Sequence, residues 1–426
     1  MLDLEILRTR TDEVRRNTEN RRIQADVDEV LRLADERSAL TVDVDTLRAQ
    51  RKTLSQRVSK ASEPERAALV AEASQLKAVL AEREARLATV EAEWRRELSR
   101  LPNLSHPDAP VGPDDTHNRE VRRWGEVPKF PFKPLDHVTL GEMLDLVDFD
   151  SATTVTGSNF YFLKNEAVLL ELALTRLALE TLRREGFTLY TTPDLARMSV
   201  LEGAGFNPRG EETQIYRVEG QDLGLIATAE ITLAGLAMDR ILPNERLPMK
   251  VGGLSHCFRV EAGAYGRAGR GLYRVHQFTK VEMFAFARPE DSEAVHQELV
   301  RIEEGLYQRL GIPYRVMDVC TGDLGGPAYR KFDLEAWMPG RGDGGEWGEI
   351  TSASNCTDYQ ARRLGIRFRR AQGRKPELVH TLNGTAIAVS RTLIAILENY
   401  QQADGSVVVP EALRPLVGFD RIGPRG

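Results

Sequence analysis

The feature that most constrains the fold is a stretch over residues 27–98 that contains a single proline and no glycine. Its apolar residues recur with the seven-residue spacing of a coiled-coil seam. They are Val30, Leu33, Leu40, Val44, Leu47, Leu54 and Val58 in the first half and Ala73, Leu76, Leu80, Leu87, Val90 and Trp94 in the second. Between the halves, Ser62 and Glu65 have the spacing of a capping box, and Pro64 is tolerated in a first helical turn. The pattern predicts two helices that turn near residues 62–65 and form an antiparallel hairpin about 50 Å long.

The outer part of this hairpin is locally basic, although the whole chain has a formal net charge of −6. No acidic residue lies between Asp45 and Glu63, whereas five basic residues do: Arg48, Arg51, Lys52, Arg57 and Lys60. Such a segment can bind a nucleic-acid backbone with salt-dependent affinity. Exposed helix faces also carry Arg and Lys for solubility alone, so both interpretations stay open. The acidic net charge argues against a protein that coats DNA.

The helical stretch is followed by a proline-rich segment without apolar periodicity, which predicts a linker over 104–136. It would join an arm over 1–103 to a globular domain over 137–426. There, short strands that read as antiparallel alternate with helices, which favours an α+β fold over a doubly wound sheet. No P-loop and no Rossmann glycine fingerprint is present.

The chain has no apolar run of about 18 residues and no signal-peptide pattern at its N-terminus, so we expect a cytoplasmic protein without a membrane partner. Cys257, Cys320 and Cys356 lie far apart and form no Cys-x-x-Cys pair. The sequence therefore predicts no zinc site.

Charged residues alternate along a predicted hairpin that runs from Ser255 through a glycine-rich segment to Phe284. Alternation places Arg259 and Glu261 on one face of its first strand, and Lys280, Glu282 and Phe284 on one face of its second. Charges inside a sheet are costly unless they are paired or face a ligand. The hairpin therefore indicates either a polar ligand site or an ion-pair ladder on a solvated face.

Two further segments could bind anions or cations. Arg391 begins a predicted apolar helix, where its charge opposes the helix dipole unless an anion lies nearby. Glu349 and Ser352, in a segment dense in oxygen ligands, could share a magnesium ion with phosphates. The alternatives are a surface arginine and an ordinary polar turn.

In combination, these residues resemble the class II aminoacyl-tRNA synthetases, and the whole chain resembles the bacterial-type seryl-tRNA synthetase family. Gly186-Phe187 with Thr192-Pro193 is similar to motif 1, Arg259-Val260-Glu261 with the segment 274–278 to motif 2, and Gly384 to Arg391 to motif 3. Serine-enzyme signatures also match at Thr228-Ala229-Glu230, at residues 320–325 and at residues 398–401.

The resemblance implies an ATP-dependent serine–tRNA ligase that forms seryl-adenylate and transfers serine to tRNA(Ser), and also to selenocysteine tRNA. Arg259 would hold the α-phosphate and Arg391 the pyrophosphate. Adenine would lie between Phe278 and Arg391. The implied ATP-binding residues are Arg259, Val260, Glu261, Val275, Phe278, Glu349, Ile350, Thr351, Ser352 and Arg391, with Glu349 and Ser352 as Mg²⁺ ligands. The implied serine-binding residues are Thr228, Ala229, Glu230, Arg259, Glu282 and Thr385. The arm residues Arg48, Arg51, Lys52, Arg57 and Lys60 would bind the tRNA.

The resemblance further implies a homodimer and a class II antiparallel sheet flanked by helices. The chain departs from the commonest family sequence at three positions, Ala227, Ala386 and Ser390. These departures affect only the expectation for fine specificity. Two rival hypotheses remain: a paralogue that charges a non-tRNA acceptor, and an inactive tRNA-binding paralogue. The predicted arm disfavours the first, and the presence of Arg259, Glu261 and Arg391 disfavours the second.

Overall fold

The computed structural model describes residues 1–206, 215–261 and 270–424. The chain divides into two compact units, Met1–Leu104 and Ser105–Gly426. In the described parts of the chain, no helix combines the length and the apolar character needed to cross a membrane.

The first unit is helical and contains the predicted hairpin. Its helices are α1 (Leu4–Thr9), α2 (Thr11–Asn20), α3 (Val27–Lys60) and α4 (Glu63–Arg100). Leu33, Leu40 and Val90 are buried between α3 and α4, where the heptad pattern placed them. Ion pairs also cross the seam, as between Arg48 and Glu84 at 2.8 Å. The antiparallel hairpin is confirmed, and the 34 residues of α3 make it about 50 Å long.

The turn lies where the sequence predicted it, but the capping box does not form. The Ser62 hydroxyl donates to the Glu65 carboxylate at 2.9 Å. The Glu65 backbone N–H donates instead to the Ser62 carbonyl oxygen, at 3.1 Å. A carboxylate is a stronger hydrogen-bond acceptor than a neutral oxygen, and the Ser62 hydroxyl therefore donates its hydrogen bond to Glu65.

The second unit combines a large sheet with helices. Its helices are α5 (His137–Met143), α6 (Phe149–Thr156), α7 (Glu166–Arg184), α8 (Met198–Ala204), α9 (Ala229–Gly235), α10 (Ser292–Leu310), α11 (Tyr359–Leu364), α12 (Val389–Asn399) and α13 (Arg414–Val417). Its strands are β1 (Arg119–Trp124), β2 (Val147–Asp148), β3 (Phe162–Leu163), β4 (Thr188–Thr191), β5 (Leu195–Arg197), β6 (Leu223–Leu225), β7 (Ile241–Pro243), β8 (Met249–Phe258), β9 (Gln277–Ala287), β10 (Tyr314–Asp318), β11 (Arg330–Met338), β12 (Glu346–Asn355), β13 (Arg367–Arg369), β14 (Glu377–Leu378), β15 (His380–Ala388), β16 (Val407–Val408) and β17 (Arg421–Ile422).

Eight strands form the main sheet in the order β1-β10-β11-β12-β15-β9-β8-β4. All neighbours in it are antiparallel except β4 and β8. Helices α7, α10 and α12 pack on this sheet around a large apolar core. The fold is therefore α+β, with an antiparallel sheet flanked by helices, as predicted.

The predicted linker over 104–136 contains a strand of the main sheet. Strand β1 pairs with β10, so the sheet begins before residue 137. Sequence patterning missed β1 because all six of its residues are exposed and none alternates into the core. The assignment of the arm over 1–103 to tRNA binding and of 137–426 to catalysis stays a prediction.

A second, smaller sheet positions one wall of the candidate site. It has the order β14-β13-β7 and packs with α9 and α11 against Phe284 and Phe286 of β9. The three cysteines, Cys257, Cys320 and Cys356, are buried and form no disulfide.

Candidate active site

A cavity of about 340 Å³ lies over the central strands of the main sheet and collects most of the predicted site residues. Its lining includes Thr228, Glu230, Arg259, Glu261, Val275, Phe278, Glu282, Glu349, Ile350, Thr351, Ser352, Thr385 and Arg391. Two predicted residues lie outside this lining. Ala229, the first residue of α9, packs into the apolar core, and Val260 is half-buried between Arg259 and Glu261. The five basic arm residues belong to the other unit, on α3.

Arg259 lies beyond the end of β8 and faces the cavity. Its backbone N–H donates to the His276 carbonyl oxygen at 2.9 Å, which fixes the main chain across the hairpin. Its guanidinium lies 5.2 Å from the ring centre of Phe278 and makes one long hydrogen bond of 3.4 Å, to the Ala227 carbonyl oxygen. Most of the guanidinium donors therefore remain directed at the cavity.

The predicted strand geometry of the hairpin is wrong in detail. Strand β8 ends at Phe258, and Glu261 has a left-handed φ of 51°. Strand β9 begins only at Gln277, and residues 262–269 lie outside the described part of the chain. Arg259 and Glu261 thus reach the cavity from a bent segment that lies beyond the end of β8.

Arg391 occupies the first turn of α12, and its side chain is only 17% exposed. It donates to the Glu349 carbonyl oxygen at 3.0 Å and forms an ion pair with the Glu349 carboxylate at 3.2 Å. Its guanidinium also lies 4.6 Å from the ring centre of Tyr273. The anion expected near this helix start is therefore Glu349, and a plain surface arginine is excluded.

Glu349 and Ser352 both line the cavity because a β-bulge interrupts β12. Ser352 pairs with Asp333 and Glu349 with Glu335, which leaves one extra residue on β12 between them. Enclosure in the cavity disfavours the charge of Glu349, but Arg391 and then Lys331 outweigh it and lower its pKa to about 2. Glu349 is therefore an anion at neutral pH.

These residues fit a magnesium ion that also binds phosphates. No cluster of three or more His, Cys, Asp or Glu side chains suited to a metal occurs among the described residues. Magnesium does not need one, because it typically takes one or two carboxylates and completes its shell with water and phosphate oxygens. Nearby, one oxygen of the buried Asp333 has no hydrogen-bond partner, and burial raises the pKa of this carboxyl to about 7.

Deeper in the cavity lies a pocket of buried charges. Lys280 forms a close ion pair with Glu282, and the Thr228 hydroxyl donates to Glu282 at 3.1 Å. Lys280 also donates to the Thr385 hydroxyl at 3.5 Å. Burial raises the pKa of Glu282, and Lys280 opposes that shift. The ion-pair ladder on a solvated face is excluded, because Lys280 and Glu282 are 5% and 1% exposed.

Glu230 is the second buried carboxyl of this pocket. One of its oxygens accepts from the Gln360 amide at 2.6 Å and from the Asn383 amide at 3.0 Å. The orientation of Gln360 is fixed, because its NH₂ group also donates to the Ala204 carbonyl while its oxygen accepts from Thr381. Burial, and then the charge of Glu282, raise the pKa of Glu230 to about 7.

Several contributors to the site were not among the predicted site residues, including Lys280, Tyr273, Lys331, Gln360 and Asn383. Lys280 shares its strand face with Glu282, so its alternation was a usable signal. Gln360 lies on a separate helix and acts through Glu230, and nothing in the local sequence indicates such a contact.

Both units match known protein families. Residues 1–105 match the family model of the seryl-tRNA synthetase N-terminal domain, and residues 214–400 match that of the tRNA synthetase class II core domain (G, H, P, S and T).

Full-length relatives agree with these matches. The chain is 58% identical over 425 residues to a serine–tRNA ligase of Rubrobacter xylanophilus, covering 100% of this chain and 99% of the relative. It is 55% identical to a serine–tRNA ligase of Treponema denticola, covering 99% of this chain and 100% of that one. A solved seryl-tRNA synthetase of Pyrococcus horikoshii, complexed with ATP, is similar at a TM-score of 0.89 and 41% identity, with 100% of both chains covered.

Proposed function

The chain belongs to the seryl-tRNA synthetase family, and on that premise we propose how its cavity and its arm divide the reaction. The enzyme is an ATP-dependent serine–tRNA ligase, which activates serine as seryl-adenylate and transfers it to tRNA. One observation carries the assignment of the steps. A single cavity holds three arginines, Arg259, Arg274 and Arg391, at one end and a buried pocket of hydroxyls and carboxylates at the other.

The arginine end of the cavity is suited to a triphosphate. Arg259 keeps donors free to bind the α-phosphate, where negative charge develops during attack by the serine carboxylate. Arg391 would bind the leaving pyrophosphate. Phe278 and Arg391 can enclose the adenine, with Glu261 and Val275 at its edge. Here the ATP carried by the Pyrococcus relative supports the proposal.

Magnesium would neutralise phosphate charge at this end of the cavity. Glu349 and Ser352 supply oxygen ligands on one face of β12, and the low pKa of Glu349 keeps its carboxylate ionised. Binding the ion and ATP would exchange the ion pair between Glu349 and Arg391 for contacts to Mg²⁺ and phosphate.

The buried end of the cavity is suited to serine. Glu230 and Glu282 can accept from the serine ammonium and hydroxyl groups, and Thr228 and Thr385 line the same pocket. Alanine would leave such buried acceptors without a donor, which costs about 1–3 kcal/mol. The pocket therefore selects for a side-chain hydroxyl.

The decisive experiment is amino-acid-dependent ATP–pyrophosphate exchange with serine, threonine, alanine and glycine. We expect exchange with serine only. Exchange with another amino acid would refute the pocket assignment, and no exchange at all would favour the inactive tRNA-binding paralogue.

A pH profile tests the role of Glu230. Because its pKa is raised to about 7, Glu230 is protonated below that pH and cannot accept fully from the serine ammonium group. Lys280, Arg259 and Glu282 surround it, and its amide donors are Gln360 and Asn383. The KM for serine is expected to rise as pH falls from about 8 to 6, while the KM for ATP stays constant.

A variant of Gln360 gives a second test of the pH dependence of the KM for serine. Gln360→Leu removes a donor that stabilises the Glu230 carboxylate, so the rise in the serine KM should begin at higher pH. Parallel changes in both KM values would instead indicate a general loss of structure and would contradict the assignment.

The arm is proposed to bind tRNA(Ser), and selenocysteine tRNA as well. Arg51, Lys52, Arg57 and Lys60 are exposed on the outer part of α3, whereas Arg48 is paired with Glu84. Transfer of serine to tRNA in an aminoacylation assay would argue against the rival hypothesis, in which serine passes to a non-tRNA acceptor.

Charge reversal tests the arm. The variant Arg51→Glu/Lys52→Glu is expected to raise the KM for tRNA(Ser) about tenfold or more, because phosphate contacts carry this affinity. Serine-dependent pyrophosphate exchange should be unchanged. Arg95→Glu/Arg96→Glu makes the same charge change at exposed positions near the base of the same arm and is the control. An equal effect of the two double variants would count against a specific contact.

A homodimer is proposed from an exposed apolar surface on the second unit. Val168, Leu169 and Leu172 of α7 are 40–61% exposed, and Phe162 and Tyr190 are exposed on β3 and β4. An unpartnered surface of this kind marks an interface. Sedimentation at the mass of a monomer would contradict the proposal. The expected compartment is the cytoplasm, where the tRNA is charged.

A further inference from the structure

We propose that a basic hairpin on the second unit, formed by residues 367–378, is a second contact surface for the phosphate backbone of the tRNA. The inference rests on the proposed function. It concerns β13, β14 and their connecting loop, which neither the arm nor the cavity includes.

The hairpin concentrates positive charge in an acidic chain. It contains five basic residues and one acidic residue, whereas the whole chain has a net charge of −6. Arg367 and Arg369 are exposed on one face of β13, because Phe368 between them is fully buried. Arg374 and Lys375 are exposed in the loop that follows. Four cations thus lie on the solvent side of a short, fixed hairpin.

Two acidic groups at the hairpin are paired with the fifth cation, Arg370. Glu290 and Glu377 both bind Arg370, at 2.6 and 2.8 Å. This arrangement clamps the hairpin to the short turn at residues 289–291 that precedes α10. It also leaves Arg367, Arg369, Arg374 and Lys375 without a carboxylate partner among the described residues. Charges collected on one side without counter-charges are typical of a surface that binds a polyanion.

The hairpin lies close to the cavity along the chain. Cys356 lines the cavity, and the six-residue helix α11 leads from there to β13. At 1.5 Å per helical residue and at most 3.6 Å per extended residue, Arg367 lies within about 30 Å of that wall. A tRNA whose 3′ end enters the cavity must bring its adjoining phosphates to within this range. An RNA backbone is therefore the polyanion that best fits the position.

The experiment compares two pairs of substitutions with the same charge change in the full-length protein. Arg367→Gln/Arg369→Gln removes two hairpin cations and leaves the Arg370 clamp intact. Lys129→Gln/Lys133→Gln removes two exposed cations elsewhere on the same unit. The dissociation constant for a tRNA(Ser) transcript is measured by filter binding between 50 and 300 mM KCl.

We expect the hairpin variant to bind tRNA several-fold more weakly at 150 mM salt, with its slope of log affinity against log salt reduced by about two. The lysine control should keep the slope of the parent protein. Arg367→Lys/Arg369→Lys should keep it too, because the charges remain. If the slope for the hairpin variant equals that for the lysine control, the proposal is overturned, and the hairpin does not bind tRNA.

Serine-dependent pyrophosphate exchange separates this proposal from the proposed function. It should be unchanged in all three variants, because none of the substituted residues lines the cavity. Absent exchange in the parent protein would refute the proposed function, whereas the filter-binding result would still decide on the hairpin.

Discussion

Arg259→Ala is expected to lower serine-dependent ATP–pyrophosphate exchange by about a thousandfold, at the upper end of what loss of one preorganised donor costs. The reason is geometric. The backbone of Arg259 is fixed by its hydrogen bond to His276, while the guanidinium makes a single, long hydrogen bond among the described residues and lies over the Phe278 ring. Its donors are therefore in place before ATP arrives, and little of their binding energy is lost to reorganisation.

The same geometry predicts that the substitution hardly affects folding. Arg259 is half-buried, and its side chain makes no ion pair within 4.0 Å in the described structure. The melting temperature of Arg259→Ala should therefore stay close to that of the parent, and serine binding should be weakened less than turnover. Exposed Arg240→Ala serves as the control for loss of one arginine. Equal rates of pyrophosphate exchange in the two variants would show that Arg259 has no role in the reaction.

Lys280→Met is expected to destabilise the second unit by about 3–5 kcal/mol and to abolish serine activation. Lys280 is the cation that compensates Glu282, and it also lowers the pKa of Glu230. Without it, two buried carboxyls face each other and take up protons. The pocket then loses the anions that would bind the serine ammonium group.

A double variant separates the two effects of Lys280. Lys280→Met/Glu282→Met removes the whole buried pair, so much of the lost stability should return, as in other replaced ion pairs. Activity should not return, because Glu282 would no longer accept from serine. Thermal denaturation and pyrophosphate exchange measured on both variants decide the matter. An active Lys280→Met protein would show that the charge balance of the pocket is irrelevant to the reaction.

Whether a part of the chain could be predicted from the sequence depended on whether the residues that determine it are close together in the sequence. The arm was predictable because the seam of α3 and α4 repeats in the sequence itself. The cavity was predictable because the family motifs mark its main side chains, such as Arg259 and Arg391. Strand β1 was missed because no residue of an exposed edge strand alternates into a core.

Other features depend on contacts that only the fold creates. The bulge in β12 brings Glu349 and Ser352 to one cavity, although their spacing in a regular strand would place them on opposite faces. Gln360 reaches Glu230 across 130 residues of sequence. In both cases the deciding neighbour is distant along the chain, so no local pattern could indicate it.

The burial of all three cysteines makes this protein suitable for site-specific thiol chemistry. Burial raises the pKa of the thiols of Cys257 and Cys320, and Cys356 is only 1% exposed. Maleimides react with accessible thiolates, so the native fold protects these side chains from labelling. A cysteine introduced at the exposed Ser62, at the turn between α3 and α4, would then take up a single fluorophore. Fluorescence from the labelled arm could then follow RNA binding in real time, without replacement of any native cysteine.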